Sequence, residues 1–228
     1  MTAIQVLEDP AAACAKLLTH AAAARGQLVL AGGTTPQPAY RQAARDPAAW
    51  SGATVWFGDE RCVPPEDERS NYAMVHAALL GRLDPASHPK VHRMLGERGA
   101  REAADDYEQQ LRAAGPPRFD LVLLGLGPDG HTASLFPDQD TLRERERWVA
   151  AVEQPARAPC VPRVTLTLPA LASTRRLVFL VTGAEKADAV AAAFGPDARP
   201  DPHVPGSIPP GLVDEVTVLL DAAAASHL

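Results

Sequence analysis

Leu121-Val-Leu-Leu-Gly-Leu-Gly-Pro-Asp-Gly-His-Thr-Ala-Ser134 joins an unbroken apolar run to a glycine-rich loop that holds one histidine. A strand exposed on one face alternates apolar and polar residues. This run does not alternate, so it reads as a strand buried on both faces. Leu28-Val-Leu-Ala31, Thr54-Val-Trp-Phe57, Leu177-Val-Phe-Leu-Val181 and Val216-Thr-Val-Leu-Leu220 share the pattern. Helical patterns lie between the runs. Residues 10–24 follow Asp9 with Pro10 at the first helical position, another helix is expected near Pro36, Ser70 precedes a further one, and residues 100–113 and 184–194 supply two more. Strands alternating with helices predict an α/β fold around a mainly parallel sheet. Ligands of such sheets bind at the carboxyl ends of the strands, which makes the residues directly after each run the candidates for function.

Composition narrows the function classes. The chain has 228 residues, with 22 Lys+Arg against 28 Asp+Glu and a formal net charge of −6. An acidic chain without a Lys/Arg block argues against a nucleic-acid partner, which needs a basic stripe to release counterions. Any anionic ligand must therefore meet a local positive site. Cys14, Cys62 and Cys160 are far apart in sequence, so neither a disulfide framework nor a zinc knuckle is encoded. No apolar run approaches the roughly 18 to 20 residues that span a bilayer, and Glu8 and Asp9 stand where a signal peptide would be positive. The sequence reads as a soluble cytoplasmic protein with no membrane partner, no cofactor and no metal, either a monomer or a small homo-oligomer. The segment Gly195–Gly211 holds six prolines, and it reads as a surface connection or a lid within one domain spanning residues 1–228.

After Ala31 come Gly32, Gly33, Thr34 and Thr35, where two glycines permit close backbone approach and two hydroxyls stand at the mouth of a helix. That is a phosphate cradle, and the missing G-K-[ST] separates it from a nucleotide P-loop. After Phe57 come Asp59, suited to accepting sugar hydroxyls, and Arg61, whose planar fork suits a phosphate. Ser70-Asn71 reads as a helix cap with a possible second role. Gly125, Gly127 and Gly130 formally satisfy the dinucleotide fingerprint G-x-G-x-x-G. Only 17 residues separate Gly130 from Trp148, and Pro137 interrupts them, which leaves no room for the crossover helix of a dinucleotide unit. His131, with Asp129 two positions earlier, instead looks like a general base with an orienting neighbour. Lys186 falls in the first turn of a helix, the wrong end of the dipole for a cation unless an anion binds there. Arg163, opening another strand-like segment, is a further candidate for the same anion.

Together these segments resemble the 6-phosphogluconolactonase family. The resemblance rests on Ala31-Gly-Gly-Thr-Thr-Pro36, Trp56-Phe-Gly-Asp-Glu-Arg61 with Ser70-Asn71-Tyr72, Leu124 to Pro137, Arg163-Val-Thr165, and Gly183 with Lys186. Thr34 stands where serine is commoner and keeps the hydroxyl. The resemblance implies a three-layer, modified Rossmann-like α/β fold, shared with glucosamine-6-phosphate deaminases and sugar-phosphate isomerases. It also implies hydrolysis of a sugar-phosphate lactone, with His131 as general base and Asp129 beside it. The substrate would be held by Gly32, Gly33, Thr34, Thr35, Asp59, Arg61, Gly130, Thr132, Arg163 and Lys186.

Two readings compete. A deaminase or isomerase on the same fold is the nearer; the deaminase relatives carry a glutamate in the loop after Asp-Gly-His, whereas the turn here reads Thr132-Ala-Ser-Leu-Phe-Pro137 and holds no carboxylate before Asp138. A non-catalytic sugar-phosphate sensor needs a DNA-binding helix-turn-helix segment, and a first strand at about Gln27 leaves no room for one.

Overall fold

The computed structural model describes residues 2–115, 117–155 and 160–228. Seven parallel strands form the central sheet: β1 (Thr2–Val6), β2 (Gln27–Leu30), β3 (Thr54–Phe57), β5 (Lys90–Val91), β6 (Leu121–Leu124), β9 (Arg176–Val181) and β10 (Glu215–Leu220). Their spatial order is β1-β10-β9-β6-β2-β3-β5. A second, antiparallel sheet has the order β4-β8-β7, built from β4 (Asp59–Arg61), β7 (Val149–Val152) and β8 (Arg163–Leu166). The helices are α1 (Pro10–Ala23), α2 (Gln37–Ala43), α3 (Asn71–Ala78), α4 (Ala100–Ala113), α5 (Leu168–Leu171) and α6 (Ala187–Phe194).

The unbroken apolar runs are explained by the two hydrophobic cores that the sheet separates. Leu121 and Leu123 of β6 enter the core shared with α1, α2 and α3, while Val122 and Leu124 enter the core shared with α4, α6 and the small sheet. Leu28 and Leu30 divide from Val29 in the same way, as do Val55 and Phe57 from Trp56. Both faces of each central strand are thus covered by apolar side chains, as a three-layer α/β fold demands.

Local chemistry sets the helix starts. Asp9 accepts the N–H of Ala12 at 2.8 Å at the head of α1, with Pro10 following it. Ser70 accepts the N–H of Ala73 at 3.1 Å at the head of α3. Two expectations need correction. The first strand is β1, not the run near Gln27; all five of its residues are exposed at the sheet edge, so it leaves no buried apolar signature. The helix expected over 184–194 begins as a 3-10 turn, Ala184–Lys186, and becomes α-helical only from Ala187. Its entry is set by Gly183, whose φ of +100° turns the chain and whose N–H bonds the Asp221 carboxylate. The antiparallel sheet itself was hidden, because its strands are short and β4 is made of charged residues.

The loop that follows β6 contains a 3-10 turn, Asp140–Arg143, and leads into β7 of the small sheet. It is not the crossover of a dinucleotide unit. The segment 195–211 forms two 3-10 turns, Pro205–Ser207 and Pro209–Gly211. Gly206 donates its N–H to the carbonyl of Gly130 at 2.8 Å, which ties the segment to the loop after β6. Among the described residues no helix is long and apolar enough to cross a membrane.

Candidate active site

The order in which successive strands are laid down reverses between the neighbouring parallel strands β2 and β6. From β2 the chain moves to β3 on one side, and from β6 it moves towards β9 on the other, so a crevice opens at the carboxyl ends of this neighbouring pair. A cavity of about 210 Å³ occupies that crevice. Gly32, Gly33, Thr34, Thr35, Asp59, Arg61, His131, Thr132, Arg163 and Lys186 all line it. Two of the expected residues do not. Asp129 stands behind His131, and Gly130 is a turn residue with φ +80° whose backbone bonds Gly127 and Gly206.

Nδ1 of His131 lies 2.5 Å from Oδ1 of Asp129. With the carboxylate accepting from Nδ1–H, the basic lone pair is left on Nε2. The loop is closed behind the ring: the N–H of Gly127 bonds the carbonyl of His131 at 2.8 Å, and the Thr132 hydroxyl donates to the carbonyl of Gly125 at 2.8 Å. The Thr132 hydroxyl therefore serves the loop's own geometry. Gly127 is required for space, since a Cβ there would collide with both Nδ1 of His131 and Oδ1 of Asp129. Phe136 packs on the imidazole with ring centroids 4.8 Å apart. Its ring also meets the Arg163 guanidinium, 5.4 Å from the centroid.

The same cavity holds an arrangement that sequence could not reveal. Arg61 and Arg163 are direct partners in the β4–β8 ladder. Like charges set opposite each other across a ladder repel, and such a pair is relieved when an anion binds between them. Burial lowers the Arg163 pKa, the Asp59 carboxylate opposes that shift, and Arg61 adds to it. Lys186 reaches the same cavity from the turn that precedes α6.

Asp59 is buried, and its carboxylate is engaged by protein groups. Oδ1 accepts from the Asn71 amide at 2.9 Å and Oδ2 from the Ser134 hydroxyl at 2.6 Å. Asn71 also donates to the Asp59 carbonyl at 2.8 Å, and its amide presses on Gly32 so closely that a Cβ there would collide with it. This is the second role of the Ser70-Asn71 cap. Glu60, beside Asp59, accepts from the N–H groups of Arg61, Asn71 and Tyr72 and from the Ser70 hydroxyl, and so anchors the start of α3. Burial pushes its carboxyl above the usual range despite these bonds. Sequence reading missed Ser134 and Thr165, which carry no charge and lie in segments whose packing is invisible without the small sheet. Burial pushes the Cys14 thiol up to about 12 and that of Cys62 up to about 11, so neither is a thiolate nucleophile at neutral pH.

A family model, glucosamine-6-phosphate isomerases/6-phosphogluconolactonase, matches residues 2–216. The 6-phosphogluconolactonase of Synechocystis sp. is 36% identical over 98% of this chain and 95% of its own length. The human 6-phosphogluconolactonase is 38% identical over 97% of this chain and 90% of its own. The solved 6-phosphogluconolactonase of Trypanosoma brucei superposes with a TM-score of 0.85 at 29% identity, covering 100% of this chain and 99% of that one. With a family model spanning nearly the whole sequence, and relatives above 35% identity aligned almost end to end, the chain belongs to the glucosamine-6-phosphate isomerase/6-phosphogluconolactonase family.

Proposed function

We propose that this protein hydrolyses 6-phospho-D-glucono-1,5-lactone to 6-phospho-D-gluconate. The observation that carries the reading is His131, backed by Asp129, lining the same cavity as the opposed arginines Arg61 and Arg163. A base and an anion site in one crevice suit a substrate that carries both a carbonyl and a phosphate. The phosphate is held by Arg61, Arg163 and Lys186 with the Gly33, Thr34 and Thr35 turn, which fixes the far end of the sugar and brings the carbonyl to His131.

In the reaction, a water oxygen bonds to the lactone carbonyl carbon while its proton passes to Nε2 of His131. Asp129 holds the tautomer and stabilises the imidazolium that forms. The N–H groups of Gly127 and Gly130 are bonded inside their own loop, so neither is available to the developing oxyanion. The tetrahedral intermediate then collapses, the bond from the carbonyl carbon to the ring oxygen breaks, and the departing alkoxide recovers the proton from His131. A δ-lactone is an activated ester, so general-base catalysis of roughly 10²–10⁴-fold plus positioning suffices.

The turn after His131 favours this chemistry over amino-sugar isomerisation. Phe136 offers an apolar wall against the imidazole, and the next carboxylate, Asp138, pairs with His203 at 2.9 Å. Lactone hydrolysis needs no separate ring-opening acid. The test is a parallel assay of both substrates. Acid release from the lactone with no ammonia or fructose-6-phosphate from glucosamine-6-phosphate is expected, and comparable turnover of the amino sugar would overturn the reading.

A further inference from the structure

His131 and the opposed arginines are carried by different units. The histidine sits on the loop after β6, and Arg61 and Arg163 sit on the small antiparallel sheet. Their spacing decides whether a bound phosphate presents the carbonyl to the base. Loops are the parts of a fold that move most, and a misplacement of about 1 Å is worth roughly 10²-fold in rate.

We propose that Asp59, Ser134 and Thr165 form a clamp that sets this spacing and are therefore positioning residues for the reaction. The proposal rests on the reading of His131 as the base. Ser134 lies three residues beyond His131, fully buried, and it makes two bonds to the small sheet. Its hydroxyl donates to Oδ2 of Asp59 at 2.6 Å, and its N–H donates to Oγ1 of Thr165 at 3.2 Å. Asp59 and Thr165 are themselves direct partners in the β4–β8 ladder, two positions along each strand from Arg61 and Arg163. The loop is thus bonded to the same two strands that present the arginines.

Each member of the clamp is itself held. The Thr165 hydroxyl donates to the carbonyl of Leu166 at 3.0 Å, which turns its lone pair towards Ser134. Asn71 donates to the other oxygen of Asp59 at 2.9 Å, so the carboxylate has a donor on each side. Between His131 and Ser134 the chain passes through Ala133 at φ +47°, a left-handed conformation that a non-glycine residue holds only when its surroundings enforce it. The two Ser134 bonds supply that enforcement. Buried polar groups are unfavourable unless fully paired, and a loop needing stability alone is served by alanine and valine at these positions.

The test compares Ser134→Ala, which removes the hydroxyl donor, with Thr165→Val, which removes the acceptor at nearly constant shape, and Thr165→Ser, which keeps it. For the lactone substrate, Ser134→Ala and Thr165→Val are expected to lower kcat roughly 10- to 100-fold with KM little changed, while Thr165→Ser retains most of kcat. Wild-type kcat in Thr165→Val alongside a lowered melting temperature would make the clamp merely structural and overturn the proposal. Equal losses in Thr165→Ser and Thr165→Val would overturn it as well. Amide hydrogen exchange of the unaltered protein gives a readout independent of whether the variants fold. The Ser134 N–H is expected to be protected as strongly as the amides of β8, and exchange at the rate of an open loop would overturn the proposal. Absence of lactone hydrolysis by the unaltered protein would refute the catalytic reading instead, and the exchange measurement would still report on the clamp.

Discussion

The imidazole of His131 and the carboxylate of Asp129 meet at 2.5 Å across a glycine turn, and the position that makes room for both is Gly127. Under the proposed mechanism, the contact leaves Nε2 as the base. In Asp129→Asn the amide no longer enforces that tautomer, and kcat should fall by roughly 10² or more while KM changes little. Steady-state kinetics on the lactone checks this, and a variant with unaltered kcat would remove Asp129 from the mechanism.

Gly127→Ala is a sharper geometric probe. Gly127 does not occupy the left-handed region, so its backbone tolerates alanine, and the atoms nearest the added methyl belong to the His131–Asp129 pair. A loss of roughly 10²-fold in kcat with the fold retained by circular dichroism is expected. Near-normal turnover would mean that the pair can shift without consequence.

The cation side of the cavity should act mainly on binding. Lys186→Ala should weaken interaction with the phosphorylated lactone by about 1.5–3 kcal/mol, the range for a charge-assisted hydrogen bond. Gluconolactone without a phosphate should be a much poorer substrate and indifferent to the same substitution. Equal kcat/KM for the two lactones would contradict an anion site formed by Lys186, Arg61 and Arg163.

Glu60 predicts a pH dependence of stability. Burial raises its folded-state pKa above the ordinary 4.5, so the folded protein holds this proton more tightly than the unfolded chain. Its contribution to stability is fully present below the unfolded value and is lost as pH rises through the raised one. The stability of the wild type relative to Glu60→Gln should therefore decline as pH rises above about 4.5 towards neutrality. Denaturant melts of both proteins across that window measure it, and a difference that stays constant or grows would show that the four donors to Glu60 outweigh its burial.

Much of this architecture is legible because burial writes itself into composition. β3 and β6 were found within their bounds, because strands covered on both faces must be apolar throughout. That Gly32, Thr35, Arg61, His131 and Lys186 meet at one cavity is legible because each follows a readable strand. β1 was not, since an edge strand with exposed side chains carries no periodic signal. The opposition of Arg61 and Arg163 depends on an antiparallel pairing over a separation of about a hundred residues, which local pattern does not encode. Ser134 and Thr165 acquire their meaning only through that same sheet. Asp59 was legible as a residue near the site, but its engagement by Asn71 and Ser134 depends on tertiary packing.

The account stands on His131 as the base. The most direct measurement is the pH-stat rate of acid release from 6-phosphogluconolactone, corrected for spontaneous hydrolysis, for the wild type and His131→Asn at saturating substrate. Loss of roughly 10²–10⁴-fold in kcat with the lactone still bound is the predicted result, and a variant that turns over at the wild-type rate would contradict it.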